Sequence, residues 1–299
     1  MSFDNAYESI TESNDEQHWA FGTGFDDPLS GVDRAVPSTV DPADLVAYCL
    51  MLGDDALILS QRLSEWCSRA PELEEDVALA NISLDLLGQA RMLLTRAGEV
   101  EGAGRDEDTL AYLRDETDFR NVRLAEIDCG PGPGGDFATT IARLLVFSTW
   151  RLALFDRLTS SADPVLAAVA TKGVKELAYH RDHAAQWTLR LAGGTEFSRA
   201  RMIAGLATVW PLVDELFTPH EIELRLAAAS VAVDPATLRS DVDSILNAVF
   251  KAASLDRPEI APMSPVAGRT GRHGLHTEAM GYLLAELQHL HRSLPGATW

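Results

Sequence analysis

Between Leu73 and Leu87 the apolar residues Leu73, Val77, Ala80, Leu84 and Leu87 recur at alternating spacings of four and three. That is the period of an α-helix, and no strand satisfies it, because successive strand side chains point to opposite faces. Pro71 and the acidic run Glu72, Glu74, Glu75 and Asp76 suit the positive end of a helix, so a long helix opens here and runs to about Gly98. The same punctuation recurs along the chain. Asp41, Pro42 and Asp44 open a helix expected over residues 42–67, Asp136 caps one over 137–160, and Asp163–Pro164 starts one that stops at Gly193–Gly194. The segment 137–160, FATTIARLLVFSTWRLALFDRL in its body, is apolar nearly all round and reads as a buried helix.

Further helices are expected at about 196–218, 234–255 and 275–293, separated by joints that hold Pro219, Pro235, Pro258, Pro262 and Pro265. The charged stretch from Asp106 to Asp128 predicts shorter helices outside the main bundle, and CGPGPGGD (129–136) predicts a loop. No strand pattern competes. Two pairs of long helices joined by a longer link match an all-α, ferritin-like four-helix bundle with additional C-terminal helices, spanning residues 41–299. Residues 1–40 carry eight acids against the single base Arg34 and predict a flexible, acidic N-terminal extension.

A chain of 299 residues with 46% hydrophobic content can bury a core of this kind without staples. Its three cysteines, Cys49, Cys67 and Cys129, form neither a disulfide framework nor a metal-binding pair, which predicts a reducing, cytoplasmic setting. A net charge of −20 argues against nucleic acid and anionic membranes as partners, although such a surface can receive a basic protein.

A ferritin-like bundle raises the question of a metal. Carboxylate centres of this architecture take a Glu from each of two helices and Glu-x-x-His from each of the other two. Here the helix over 71–98 presents Asp85-x-x-Gly88, no histidine occurs between His18 and His180, and the helix over 137–160 has no acid between Asp136 and Asp156. The closest approach to a ligand cluster is Glu176, His180 and His183 at i, i+4 and i+7, where the i+3 partner of Glu176 is Tyr179. Asp54 and Asp55 can face Asp85 and Glu176, and if buried they need protonation or an arginine, with Arg143 and Arg151 as candidates. Asp55, Asp85, Glu176 and His180 are therefore the candidates for a vestigial metal site, with no catalytic residue and no working metal ligand set assigned. His273, His276, His289 and His291 lack an i, i+4 ligand pair and read as surface histidines, while Trp66, Trp150, Trp187 and Trp210 fall at core positions.

Particular strings carry a resemblance: LGDDALILSQRLSEWC (52–67), APELEEDVALANISLDLLGQAR (70–91), RDEDTLAYLRDETDFRNVRLAE (105–126), KELAYHRDHAAQWTLRLAGGTE (175–196) and GLHTEAMGYLLAELQHLHRSLPGATW (274–299). Over residues 42–299 the chain resembles the C subunits of bacterial phenylacetyl-CoA monooxygenases, the ring-1,2-phenylacetyl-CoA epoxidases. The resemblance implies a structural paralogue of the catalytic A subunit, which holds the di-iron centre and binds the CoA thioester. It also implies a small B subunit and a reductase that delivers electrons from NADPH through flavin and an iron-sulfur centre. Two departures stand out: the acidic extension, and Ser148 at a mid-helix position where relatives can carry an acid. The implied function is a non-catalytic structural subunit in aerobic phenylacetate degradation. The alternative is a metal-dependent enzyme using a reduced site of Asp55, Asp85, Glu176 and His180.

Overall fold

The computed structural model describes residues 29–132 and 135–297. Four long helices form the bundle: α1 (Pro42–Ser64), α2 (Leu73–Glu101), α5 (Phe137–Leu158) and α6 (Pro164–Gly193). Between the two pairs lie α3 (Glu107–Tyr112) and α4 (Arg123–Glu126); after them come α7 (Glu196–Val209), α8 (Glu221–Ala228), α9 (Arg239–Ala252) and α10 (Glu278–Ser293). Among the described residues the one extended pairing is an isolated bridge between Val266 and Arg269, so the fold is all-α and ferritin-like.

Local chemistry explains the helix starts. Asp41, Asp136 and Asp163 each accept a hydrogen bond from a backbone N–H of the first turn, those of Ala43, Thr139 and Leu166, which satisfies donors that have no partner inside the helix. Asp163 also accepts from Arg96 at 2.6 Å in the buried interior, so one carboxylate caps α6 and ties it to α2. At the other end α2 runs to Glu101 and stops at Gly102, whose φ of 67° is the left-handed conformation that glycine adopts without strain. The expected 196–218 helix ends early at Val209, because Pro211 turns the chain into 3-10 turns over Trp210–Leu212 and Asp214–Phe217. The helix expected from 234 likewise begins as a 3-10 turn at Pro235 before α9 takes over.

In the bundle α1 packs along α2, α5 along α6, and α2 meets α6, while α7 crosses α5. The α1–α2 pair closes tightly at Gly53, where an added Cβ would lie 2.9 Å from Leu94. As expected, α5 is the central helix, buried from Thr140 through Arg151 without a break. Both α2 and α5 are long and apolar enough to cross a membrane by length and composition alone, and α5 is a core helix of the bundle. Trp66, Trp150 and Trp210 are buried, and Trp187 packs against the core.

Two placements are decided by the tertiary structure. Of the expected extension, residues 1–28 lie outside the described residues; Leu29 and Val40 are buried against the bundle, and the Arg34 carbonyl accepts from Arg96 at 2.7 Å. The second concerns α2. The stripe that announces this helix faces outward: Leu73 is 75% exposed, Val77 53%, Leu84 63% and Leu87 42%. The core is filled by a second stripe of the same period, Leu79, Ile82, Leu86, Ala90 and Leu93. Periodicity identifies a helix, but it does not say which of two apolar faces turns inward.

Candidate functional site

The four candidate residues do not converge. Asp55, on α1, is fully buried and is gripped by Arg272, whose Nη1 and Nη2 donate to its two oxygens at 3.0 and 2.8 Å; it also accepts from the Val122 N–H at 2.8 Å. Its neighbour Asp54 accepts from Arg114 and from the Arg120 N–H. Both α1 carboxylates are thus paired with cations from outside the bundle rather than with α2 and α6. Arg143 does not serve them: it donates to the Ile127 carbonyl at 2.8 Å. Arg151 reaches Asp55 at 3.9 Å only.

Arg151 instead occupies the middle of the bundle. Its Nε donates to Gln89 Oε1 at 3.0 Å and its Nη2 to the Leu52 carbonyl at 3.1 Å, with the guanidinium 4.4 Å from the Phe155 ring centre. Gln89 in turn donates to Glu176 Oε2 at 3.0 Å. A polar chain therefore crosses the interior from Arg272 and Asp55 through Arg151 and Gln89 to Glu176. Helix α6 can lie this close because residue 173 is glycine; a Cβ there would meet the Phe155 ring at 2.7 Å.

Further along the α2–α6 seam, His180 Nε2 lies 3.0 Å from Asp85 Oδ2 and His183 Nε2 lies 3.1 Å from Glu75 Oε2. Asp85, Glu176 and His180 are therefore brought to one seam as two separate polar contacts, and Asp55 is held on the far side of Arg151. Among the described residues no three His, Cys, Asp or Glu side chains come together as a metal ion would require. At the middle of α5, Ser148 turns its hydroxyl back to the Leu144 carbonyl. The described residues along this seam do not form the carboxylate–histidine set of a di-iron centre.

Electrostatics agree with this arrangement. Burial pushes the Asp55 carboxyl up, against the opposing pull of Arg272 and Arg151. Burial lowers Arg151 to about 10, with Asp55 working the other way, so the guanidinium keeps its charge at neutral pH. A divalent cation entering between Asp55 and Glu176 would meet a fixed positive charge already there. Burial also raises Glu176, partly offset by its hydrogen bond from Gln89.

The C-terminal histidines correct an expectation. His276 is not a surface residue: its side chain is buried, with Nδ1 2.7 Å from Glu126 Oε2 and Nε2 3.1 Å from the Phe119 carbonyl. Both partners are oxygen acceptors, an arrangement that favours the imidazolium, in which both ring nitrogens donate. His273 packs against His220 with ring centres 4.5 Å apart, and His291 stacks on Tyr112 at 4.9 Å. Arg114, Arg272, Gln89 and Glu126 were not singled out by the sequence, which contains no local signal for them.

The sequence is similar to that of known proteins. Over 256 residues the chain is 48% identical to the C subunit of 1,2-phenylacetyl-CoA epoxidase from Escherichia coli (strain K12), an alignment that covers 85% of this chain and 99% of that protein. The resemblance drawn from the five sequence strings is borne out. The family model described as phenylacetic acid catabolic protein, PaaA_PaaC, matches residues 32–299. This chain belongs to the PaaA_PaaC family of phenylacetic acid catabolic proteins.

Proposed function

We propose that this chain is a non-catalytic structural subunit of a multicomponent, ring-epoxidising phenylacetyl-CoA monooxygenase acting in aerobic phenylacetate degradation. The observation that carries the reading is Arg151, a guanidinium seated between Asp55 and the Gln89–Glu176 pair where a carboxylate-bridged metal would need room and negative charge. The E. coli relative, named as the C subunit of an epoxidase, supports membership of such an assembly.

In this reading a catalytic A-type subunit holds the di-iron centre and the CoA thioester. A small B subunit and an NADPH-dependent reductase with flavin and iron-sulfur groups complete the complex, which works in the cytoplasm. The chain's own task is to stabilise and position the catalytic subunit. Elemental analysis and co-purification test it together: the purified chain is expected to carry no stoichiometric iron and to form a complex with the A-type subunit. Iron at about two per chain, held by Asp55, Asp85, Glu176 and His180, would replace this reading with that of a metal-dependent enzyme.

A further inference from the structure

The outward stripe of α2 has the geometry of half a helix–helix seam. Leu73, Val77, Ala80, Leu84 and Leu87 keep the four-three spacing of a and d positions, and over fourteen residues of rise they span about 21 Å. Four of the five are large and exposed. A monomer rarely leaves a contiguous apolar ridge of this kind in water.

The ridge leads into a socket. Beside Leu87 lies a cavity of about 300 Å³ whose walls include Leu57, Ala90, Leu94, Ala111 and Tyr112. Arg91 and Glu107 pair at 3.1 Å on its rim. An apolar floor ringed by charge is the form taken by pockets that receive an anchor side chain at an interface. Beyond it, Tyr112 stacks on His291 of α10 with ring centres 4.9 Å apart.

The charges beside the ridge indicate what covers it. Glu74 and Asp76 occupy the positions that flank the seam; Glu74 is exposed, and Asp76, half-buried, accepts from the Ser68 N–H at 2.7 Å while adding its charge to that flank. A second copy, itself carrying −20 overall, is disfavoured by like charge. An anionic membrane is disfavoured for the same reason. A helix whose flanking positions are basic is favoured. The family to which this chain belongs spans A- and C-type proteins, so an A-type subunit offers long helices of the same kind.

We infer that the Leu73–Val77–Leu84–Leu87 face of α2, with the cavity beside Leu87, is the surface on which a long helix of the A-type subunit docks, its flanks basic and one large apolar residue entering the cavity. The inference rests on the proposed function and adds the surface to it.

The test uses the full chain and the A-type subunit from the same source, with Val77→Asp/Leu84→Asp as the variant. Both side chains are mostly in water in the isolated chain, so its thermal melt is expected to stay within a few degrees of the unmodified protein. Affinity for the A-type subunit is expected to fall on the order of 100-fold, as for loss of central interface residues. Phe197→Asp, at an exposed position on α7, is the control and is expected to bind normally. Equal binding by the double variant overturns the surface while leaving the proposed function standing. So does light scattering that shows the unmodified chain as a homodimer broken by the double substitution, or binding to neutral phosphatidylcholine vesicles that the substitution abolishes. If the unmodified chain itself forms no complex with the A-type subunit, the proposed function falls and the docking surface with it.

Discussion

Arg272 closes both terminal nitrogens of its guanidinium on the Asp55 carboxylate, at 3.0 and 2.8 Å, across 217 residues of chain. The same Nη1 also donates to the carbonyls of Met51 and Arg120. One side chain thus joins α1, the segment after α3 and the turn that precedes α10.

Breaking that clasp from one side is expected to cost more than the pair itself contributes. Arg272→Met leaves Asp55 buried with the Val122 N–H and a guanidinium 3.9 Å away, and removal of one partner of a buried pair costs about 3–5 kcal/mol. Urea unfolding of Arg272→Met and of Asp55→Leu/Arg272→Met checks this. The double variant should recover much of the loss. A single variant as stable as the unmodified chain would contradict the role of the clasp.

Under the proposed function, Glu176→Gln and His180→Gln on the α2–α6 seam should leave turnover of the reconstituted complex within a few-fold of normal. The expected cost is stability, about 1–3 kcal/mol where a buried partner is left without its hydrogen bond. Melting and phenylacetyl-CoA-dependent NADPH oxidation are to be read in the same preparations. A rate loss of about a thousand-fold with an unchanged melt would identify a working site.

His276 sets one pH dependence. Burial works against its charge, but the hydrogen bond and charge of Glu126 and the Phe119 carbonyl outweigh it, so its folded pKa is raised. A raised histidine pKa stabilises the fold fully below the unfolded value of about 6.5, and that contribution disappears as pH climbs through the folded value. Subtracting the urea stability of His276→Gln from that of the unmodified protein should therefore give a difference that shrinks above about pH 6.5. A flat difference would mean that the ring is neutral.

His220 has the opposite sign. Burial first, and then the positive charge of the neighbouring His273, lower its pKa to about 4, and its Nδ1 accepts from the Ile222 N–H at the start of α8. The neutral ring is the stable form, so the unfolded chain takes up a proton that the folded one refuses, and stability falls as pH drops from about 6.5 towards 4. An NMR titration should place the His220 midpoint well below that of an exposed histidine. A midpoint near 6.5 would refute the account.

Several features that depend on little more than one turn of chain were legible in the sequence. Asp41, Asp136 and Asp163 cap the helices they precede, the gap without histidine from His18 to His180 denies α1, α2 and α5 an imidazole, and the apolar length of α5 marks it as central. Local hydrogen bonds and side-chain period suffice for such features, because the partners are neighbours in sequence. The bundle's internal pairings are of another kind. With 25 bases in the chain, no local rule selects Arg272 for Asp55, Arg114 for Asp54 or Glu126 for His276; the choice is made by which helices pack together. The orientation of α2 follows the same logic. Its two apolar stripes share one period and comparable hydrophobicity, and only docking against α1 and α6 decides that Leu79, Ile82 and Leu86 turn inward while Leu73, Val77 and Leu84 face water.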